Sequence, residues 1–361
     1  MRTLDGEESV RLGLLRFPLI VGVVFIHAYR STAESGPAGD AAGGAGTVAD
    51  RVQAFISQGL ARPAVPLFFL MSGYLFFYGV AEWSPEGYRA KLKARARTLL
   101  VPFLFWNIAT LAAVWLAQSW AVTRGFFSGK NAAVGELGPL EWMAAIFGIG
   151  RWPISYQFWF IRDLMVLVLL TPLIHRLNKS LPVIFLGALF CIWFFNLADL
   201  PAPAPEAAFF FSVGCLFGAQ NRSLFCLDRH GVVITAAFVM MVWLDSDAGF
   251  EGVHVQLHKL EVLLGMAACL FLTRYAAAWS GARQLLGALG AASFFVYAAH
   301  EPLLAALMKV ARARSLPGGA DAVLAVYFAV PVLVIGLLVG IHACAIRFCP
   351  RFIRVVSGGR G

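Results

Sequence analysis

Chemistry in this chain has few places to reside, because most of its length is apolar. The ionisable side chains that stand out inside long apolar runs are Arg16 and His27, Arg62, Arg162 with Asp163, Lys259 with Glu261, and His300 with Glu301. A charge in hydrocarbon costs roughly 2.5–3.5 kcal/mol on insertion scales, so each of these asks for a partner or a task. Arg16 and His27 are eleven residues apart. At about 100° per residue they come within about 20° of one another on a helix, and the rise between them is about 16 Å. Both side chains therefore share one face, an arginine near one membrane surface and a histidine near the other. Imidazole can take a hydroxyl proton near neutral pH, and a guanidinium fork suits anionic oxygens. The structural alternative makes Arg16 a snorkelling anchor and His27 an interfacial histidine. Arg162 and Asp163 are neighbours pointing about 100° apart, which predicts partners on other helices rather than each other. For these two, and for Lys259 and Glu261, an ion-pair network gluing helices together is the competing reading.

The elements that must hold these groups follow from composition. Of 361 residues, 60% are hydrophobic and 14% charged, against about 45–50% and about 25% in soluble domains. Disordered, collagenous and disulfide-scaffold classes are excluded. Apolar stretches at 12–30, 53–80, 98–118, 156–175, 182–198, 205–220, 231–246, 256–274, 285–310 and 322–346 predict an all-α, polytopic integral membrane helical bundle of about ten transmembrane helices. The three stretches between 182 and 246 are short, so a merger or a re-entrant pair is the expected error there. No internal repeat or soluble domain is visible, which predicts one transmembrane domain over 1–361. The first run contains Arg16, Pro18 and His27 and is too long for a signal-peptide core, so it is read as an uncleaved span. The stretch STAESGPAGDAAGGAG after it reads as a flexible surface loop.

The net charge of +9 carries no nucleic-acid signature such as a zinc spacing or a basic-aromatic platform. Lys and Arg instead fall about two to one on the side holding the N-terminus, which predicts that both termini are cytoplasmic. The six cysteines are scattered, with no CxxC pair, and read as buried thiols. No GxSxG elbow, HExxH helix or phosphate-cradling loop is present, so serine-hydrolase, zinc-protease and nucleotide-triphosphatase readings lack their parts.

Four segments, in order along nearly the whole chain, resemble the membrane-bound acyltransferase 3 family. LRFPLIVGVVFIHAYR matches its Arg-x10-His through Arg16 and His27. PLFFLMSGYLFF resembles its Phe-x-x-SGY signature at Phe69, Ser72, Gly73 and Tyr74. RARTLLVPFLFWN enters the third span with Arg95, Arg97 and Pro102. QFWFIRDLMVLVLLTPLI and SFFVYAAHEPLL form the last pair. Many relatives continue into a soluble esterase-like domain, and the likeness here is to the stand-alone membrane form.

The resemblance implies a multi-pass protein of the bacterial cytoplasmic membrane. It would move an acyl group, most often acetyl, from cytosolic acyl-CoA to a hydroxyl of an exopolysaccharide, O-antigen or lipid-linked sugar. No permanently bound cofactor is implied, and no metal. It casts His27 as general base or transient acyl carrier, with Arg162 and Asp163 orienting the acceptor or the base. Arg16, Arg95 and Arg97 would meet the CoA phosphates, Ser72 and Tyr74 would donate to the thioester carbonyl, and His300 and Glu301 would contact substrate. Gly73 is read first as a helix-packing element. The competing function is a secondary transporter or flippase for a polar anionic solute, which intramembrane charges and the helix-breaking Pro18, Pro66 and Pro102 would also suit.

Overall fold

The computed structural model describes residues 6–33, 47–80, 83–127, 133–248, 254–315 and 319–359. The helices are α1 (Gly6–Ala33), α2 (Val48–Phe77), α3 (Pro85–Ser119), α4 (Ala121–Phe127), α5 (Pro139–Phe147), α6 (Tyr156–Ser180), α7 (Pro182–Phe194), α8 (Pro205–Ala219), α9 (Gly231–Ala248), α10 (His254–Ala278), α11 (Ser280–Gly290), α12 (Ser293–Ala299), α13 (Leu303–Ser315), α14 (Gly319–Phe348) and α15 (Pro350–Val356). No strand occurs among the described residues. Most of the flexible loop expected after the first span lies outside them.

Local chemistry sets these boundaries. Proline opens α3, α5, α7, α8 and α15, where a missing N–H costs nothing. Ser84 caps α3 by accepting from Gly87 N at 3.0 Å. α2 carries a π-helical turn at Phe55–Leu60 and bends just before Pro63, and α3 carries a second π-helical turn at Ala96–Leu100. α12 and α13 are the halves of one apolar segment interrupted over His300–Pro302, because Pro302 has no N–H for the helix ladder.

Seven helical segments among the described residues are long and apolar enough to cross a membrane: Gly6–Tyr29, Val48–Phe77, Pro85–Ser119, Tyr156–Ser180, Val255–Ala278, Ser293–Arg314 and Gly319–Phe348. α7 and α8 are apolar but shorter. Large apolar side chains face outward on several helices, among them Val183, Ile184, Val233, Trp243, Val332 and Leu333. A surface of that kind, over helices that satisfy their own backbone, is what a bilayer accepts as solvent. The protein is therefore a multi-pass, all-helical membrane protein. One predicted boundary is wrong: the stretch 285–310 is not a single helix. α11 is a separate, largely exposed helix, and the apolar segment begins afresh at Ser293.

α1 runs through the middle of the bundle, touching α2, α10, α11, α12, α13 and α14. The tightest crossing lies beside it, between α2 and α8. A Cβ on Gly73 would stand 2.1 Å from Phe211 O, and one on Gly214 would stand 2.1 Å from Leu70 O. Gly218, one turn beyond Gly214, approaches the backbone at Tyr74 in the same way. Small residues at this spacing let two backbones touch, which is how helices bind in lipid without a hydrophobic drive. The glycine of the SGY segment is thus a packing residue. Gly214→Ala is expected to destabilise the protein by about 1–3 kcal/mol through overpacking, read as a lower melting temperature in detergent. Gly187→Ala, where a Cβ meets nothing within 4 Å, is the control and should leave it unchanged or raise it.

Candidate active site

Two buried imidazoles form the centre of the site. His27 on α1 and His300 at the α12–α13 break are 6% and 0% exposed, with His27 Nδ1 2.7 Å from His300 Nε2. The rings stack with centroids 4.9 Å apart. The other nitrogen of His300, Nδ1, lies 2.7 Å from the carbonyl oxygen of Tyr297 and 3.2 Å from that of Val296. A carbonyl only accepts, so His300 Nδ1 carries the proton and, in the neutral ring, His300 Nε2 accepts. His27 Nδ1–H must then be the donor between the rings. In neutral His27 this leaves the basic lone pair on Nε2. The backbone of α12 thereby fixes the tautomer of a histidine on a different helix.

Two further groups complete the cluster. Tyr156, at the start of α6, lies with its ring centroid 5.0 Å from that of His27, and its hydroxyl donates to Glu301 Oε1 at 3.0 Å. The turn carrying Tyr156 is tied down on both sides. Tyr297 OH donates to Gln157 O at 2.6 Å, Gln157 Nε2 donates to Ala298 O at 3.2 Å, and Ser155 N donates to Asn107 Oδ1 at 3.2 Å. Glu301 is 5% exposed. His27, His300 and Glu301 offer ligand atoms that all lie within 4.8 Å of one another, so this set could hold a metal ion as well as a proton relay. Tyr156 was not singled out from sequence, since an aromatic residue at a span's edge normally signals an interfacial anchor.

Arg16 stands on the same face of α1 as His27. Leu12, Leu19, Ile20 and Val23 around it on that face are buried, whereas Arg16 is exposed. The guanidinium of Arg16 is thus open to the outside, about 16 Å from His27 along the helix. Tyr74, fully buried, donates to Glu8 Oε2 at 3.5 Å, and Glu8 also bonds Ser223. Glu8 precedes His27 by nineteen residues, about 28 Å of helix. Tyr74 therefore cannot donate to a carbonyl held at His27, which corrects that expectation. Ser72 beside it is half-buried. Lys91 donates to Phe76 O, two residues past Tyr74, and lies within electrostatic range of Arg95. Arg95 is half-buried and Arg97 exposed.

Arg162 and Asp163 do pair with each other, contrary to the expectation from their angular separation. Arg162 Nη2 and Nε each lie 2.9 Å from Asp163 Oδ1, because an arginine is long enough to fold back to its neighbour. The guanidinium also donates to Gly148 O at 3.0 Å and Pro201 O at 2.9 Å, and Asp163 Oδ2 accepts from Ala204 N at 2.8 Å. The pair thus clasps the loops that follow α5 and precede α8. Lys259 donates to the carbonyls of Trp193 and Phe194 and to Asn196 Oδ1, closing the C-terminal end of α7. Arg62 donates to Gln58 Oε1 at 2.7 Å on its own helix.

Residues 10–345 match the family described as an acyltransferase domain, Acyl_transf_3. The chain is also 27% identical over 382 residues to the succinoglycan biosynthesis protein ExoH of Rhizobium meliloti (strain 1021), covering 99% of this chain and 94% of that one. No solved structure matches. A family match that begins before Arg16 and ends within the last turn of α14 takes in nearly the whole bundle; the chain belongs to the acyltransferase 3 family and is an acyltransferase.

Proposed function

We propose that the protein O-acylates a cell-surface polysaccharide, taking the acyl group, most readily acetyl, from cytosolic acyl-CoA. The observation that carries the chemistry is the relay from the Tyr297 carbonyl through His300 to His27, which holds one imidazole with its basic nitrogen defined. The polysaccharide acceptor rests on the likeness to a succinoglycan biosynthesis protein. The bundle sits in the bacterial cytoplasmic membrane as about ten spans forming one domain, with both termini inside and α7 to α9 completing the set.

In this orientation the exposed Arg16 faces the cytosol. Arg16, Arg95 and Arg97 attract the anionic phosphates of CoA, with Ser72 and Tyr74 near the same end. The slender pantetheine arm runs along α1 and brings the thioester to His27. His27 Nε2 takes the proton of the acceptor hydroxyl as its oxygen attacks the thioester carbonyl. The C–S bond breaks, and the CoA thiolate leaves with the proton returned by the imidazolium. A covalent variant has His27 Nε2 attack first and carry the acyl group briefly. His300 orients His27 and stabilises its charged form, Tyr156 and Glu301 contact the acceptor, and Arg162 with Asp163 holds the loops that frame its entry.

Purified protein in nanodiscs with radiolabelled acetyl-CoA and surface polysaccharide tests this reading. His27→Ala should lower CoA release by about 10²–10⁴-fold, the usual worth of a general base, and retained full activity would overturn the reading. His300→Ala leaves the base but frees its tautomer, so kcat should fall by at least tenfold while KM for acyl-CoA stays within twofold. Arg16→Ala should raise KM for acyl-CoA by about tenfold, the value of one charge-assisted contact, with KM for the acceptor unchanged.

A further inference from the structure

A second cluster of ionisable groups lies away from the imidazole pair, where α9 meets the first turns of α10. His258 and Glu261 are three residues apart and share one face of α10. Asp245, near the far end of α9, faces them across the α9–α10 contact. His258 Nδ1 is 3.4 Å from Glu261 Oε2 and 3.7 Å from Asp245 Oδ2. One ligand atom from each of the three residues lies within 4.8 Å of the other two. Glu261 is 2% exposed, and neither of its carboxylate oxygens has a hydrogen-bond partner.

We propose that Asp245, His258 and Glu261 form a divalent metal site of the zinc class that staples α9 to α10. The carboxylate supplies the first reason. Buried carboxylates are ordinarily paired, hydrogen-bonded or bound to metal, and Glu261 has no donor at either oxygen. A protonated His258 alone answers this incompletely, because its Nδ1 faces two carboxylates, and one point of contact cannot satisfy both. A cation between the three groups serves all of them. The spacing is the second reason. Tetrahedral ligands at about 2.0–2.1 Å from a metal stand about 3.3 Å apart, and the two measured separations are close to that. The donor set is the third. One imidazole with two carboxylates favours zinc and its first-row neighbours over calcium or magnesium, which prefer oxygen alone. Lys259, between the two α10 ligands, turns away to the end of α7, so its ammonium does not compete for the site.

The test uses the full chain purified in detergent, stripped with EDTA and dialysed against zinc, with bound metal measured by mass spectrometry and stability by thermal unfolding. The wild type should hold about one equivalent that is lost in both Glu261→Gln and His258→Ala and kept in His27→Ala. Saturating zinc should raise the wild-type melting temperature by several degrees and leave that of Glu261→Gln unmoved. Cobalt(II) in place of zinc should give the visible bands of a four-coordinate site in the wild type alone. Metal-free Glu261→Gln, relieved of a buried charge, should melt no lower than the metal-free wild type, which shows that it folds. No metal in the wild type, or an equivalent that survives Glu261→Gln, overturns the proposal. Loss of that equivalent in His27→Ala overturns it as well, because the metal would then belong to the imidazole pair.

Discussion

The hydrogen bond between two imidazoles is the constraint around which this structure is arranged. Two neutral rings can share one proton in only one order once either ring is pinned, and the pin here is a backbone carbonyl. His300 meets the Tyr297 carbonyl because residues three apart share a helix face, and His300 reaches His27 because α12 ends there. The interruption at Pro302 matters as much as the helix before it. A continuous helix would carry Glu301 onward along the ladder, whereas the break turns it to receive the Tyr156 hydroxyl. The candidate centre is thus built from α1, the start of α6 and the α12–α13 break, with each side chain held by a neighbour that is itself held.

Support for that centre comes from contacts with no catalytic chemistry of their own. Gly73, Gly214 and Gly218 bring α2 and α8 into backbone contact. Arg162 and Asp163 tie two loops to the start of α6, within two turns of Tyr156. These are polar and steric devices suited to lipid, where burying another leucine adds little because the surroundings are already apolar. Membership of an acyltransferase family removes the need for a transporter to explain the intramembrane charges.

Much of this was legible in the sequence, and the rest was hidden for identifiable reasons. Helical periodicity puts Arg16 and His27 on one face whatever surrounds them; the structure buries His27 and leaves Arg16 exposed. Apolar runs place a helix at each predicted segment. Periodicity cannot register breaks of two or three residues, so α11, α12 and α13 read as one. The partner of His27 was out of reach, because 273 positions separate it from His300 and no local pattern encodes a contact between helices. Arg162 and Asp163 were misjudged because the angle between two Cβ directions ignores the reach of a long side chain. Tyr74 looked available for the thioester because its motif says nothing about Glu8, which takes its hydroxyl at the other end of α1.

The relay from His27 ends at the Tyr297 carbonyl, and an amide oxygen does not take up a proton at neutral pH. Along this line the carbonyl oxygens at His300 Nδ1 only accept, so the line of imidazoles is a blind alley rather than a wire. Under the proposed chemistry, every proton removed from an acceptor hydroxyl must leave from the same nitrogen that received it and return to the departing sulfur. In that scheme the acyl group would cross the bilayer as a neutral thioester, with no charge following it through the relay. Such a transfer would be electrically silent: it would neither draw on the membrane potential nor run it down, and its direction would be set by the thioester alone.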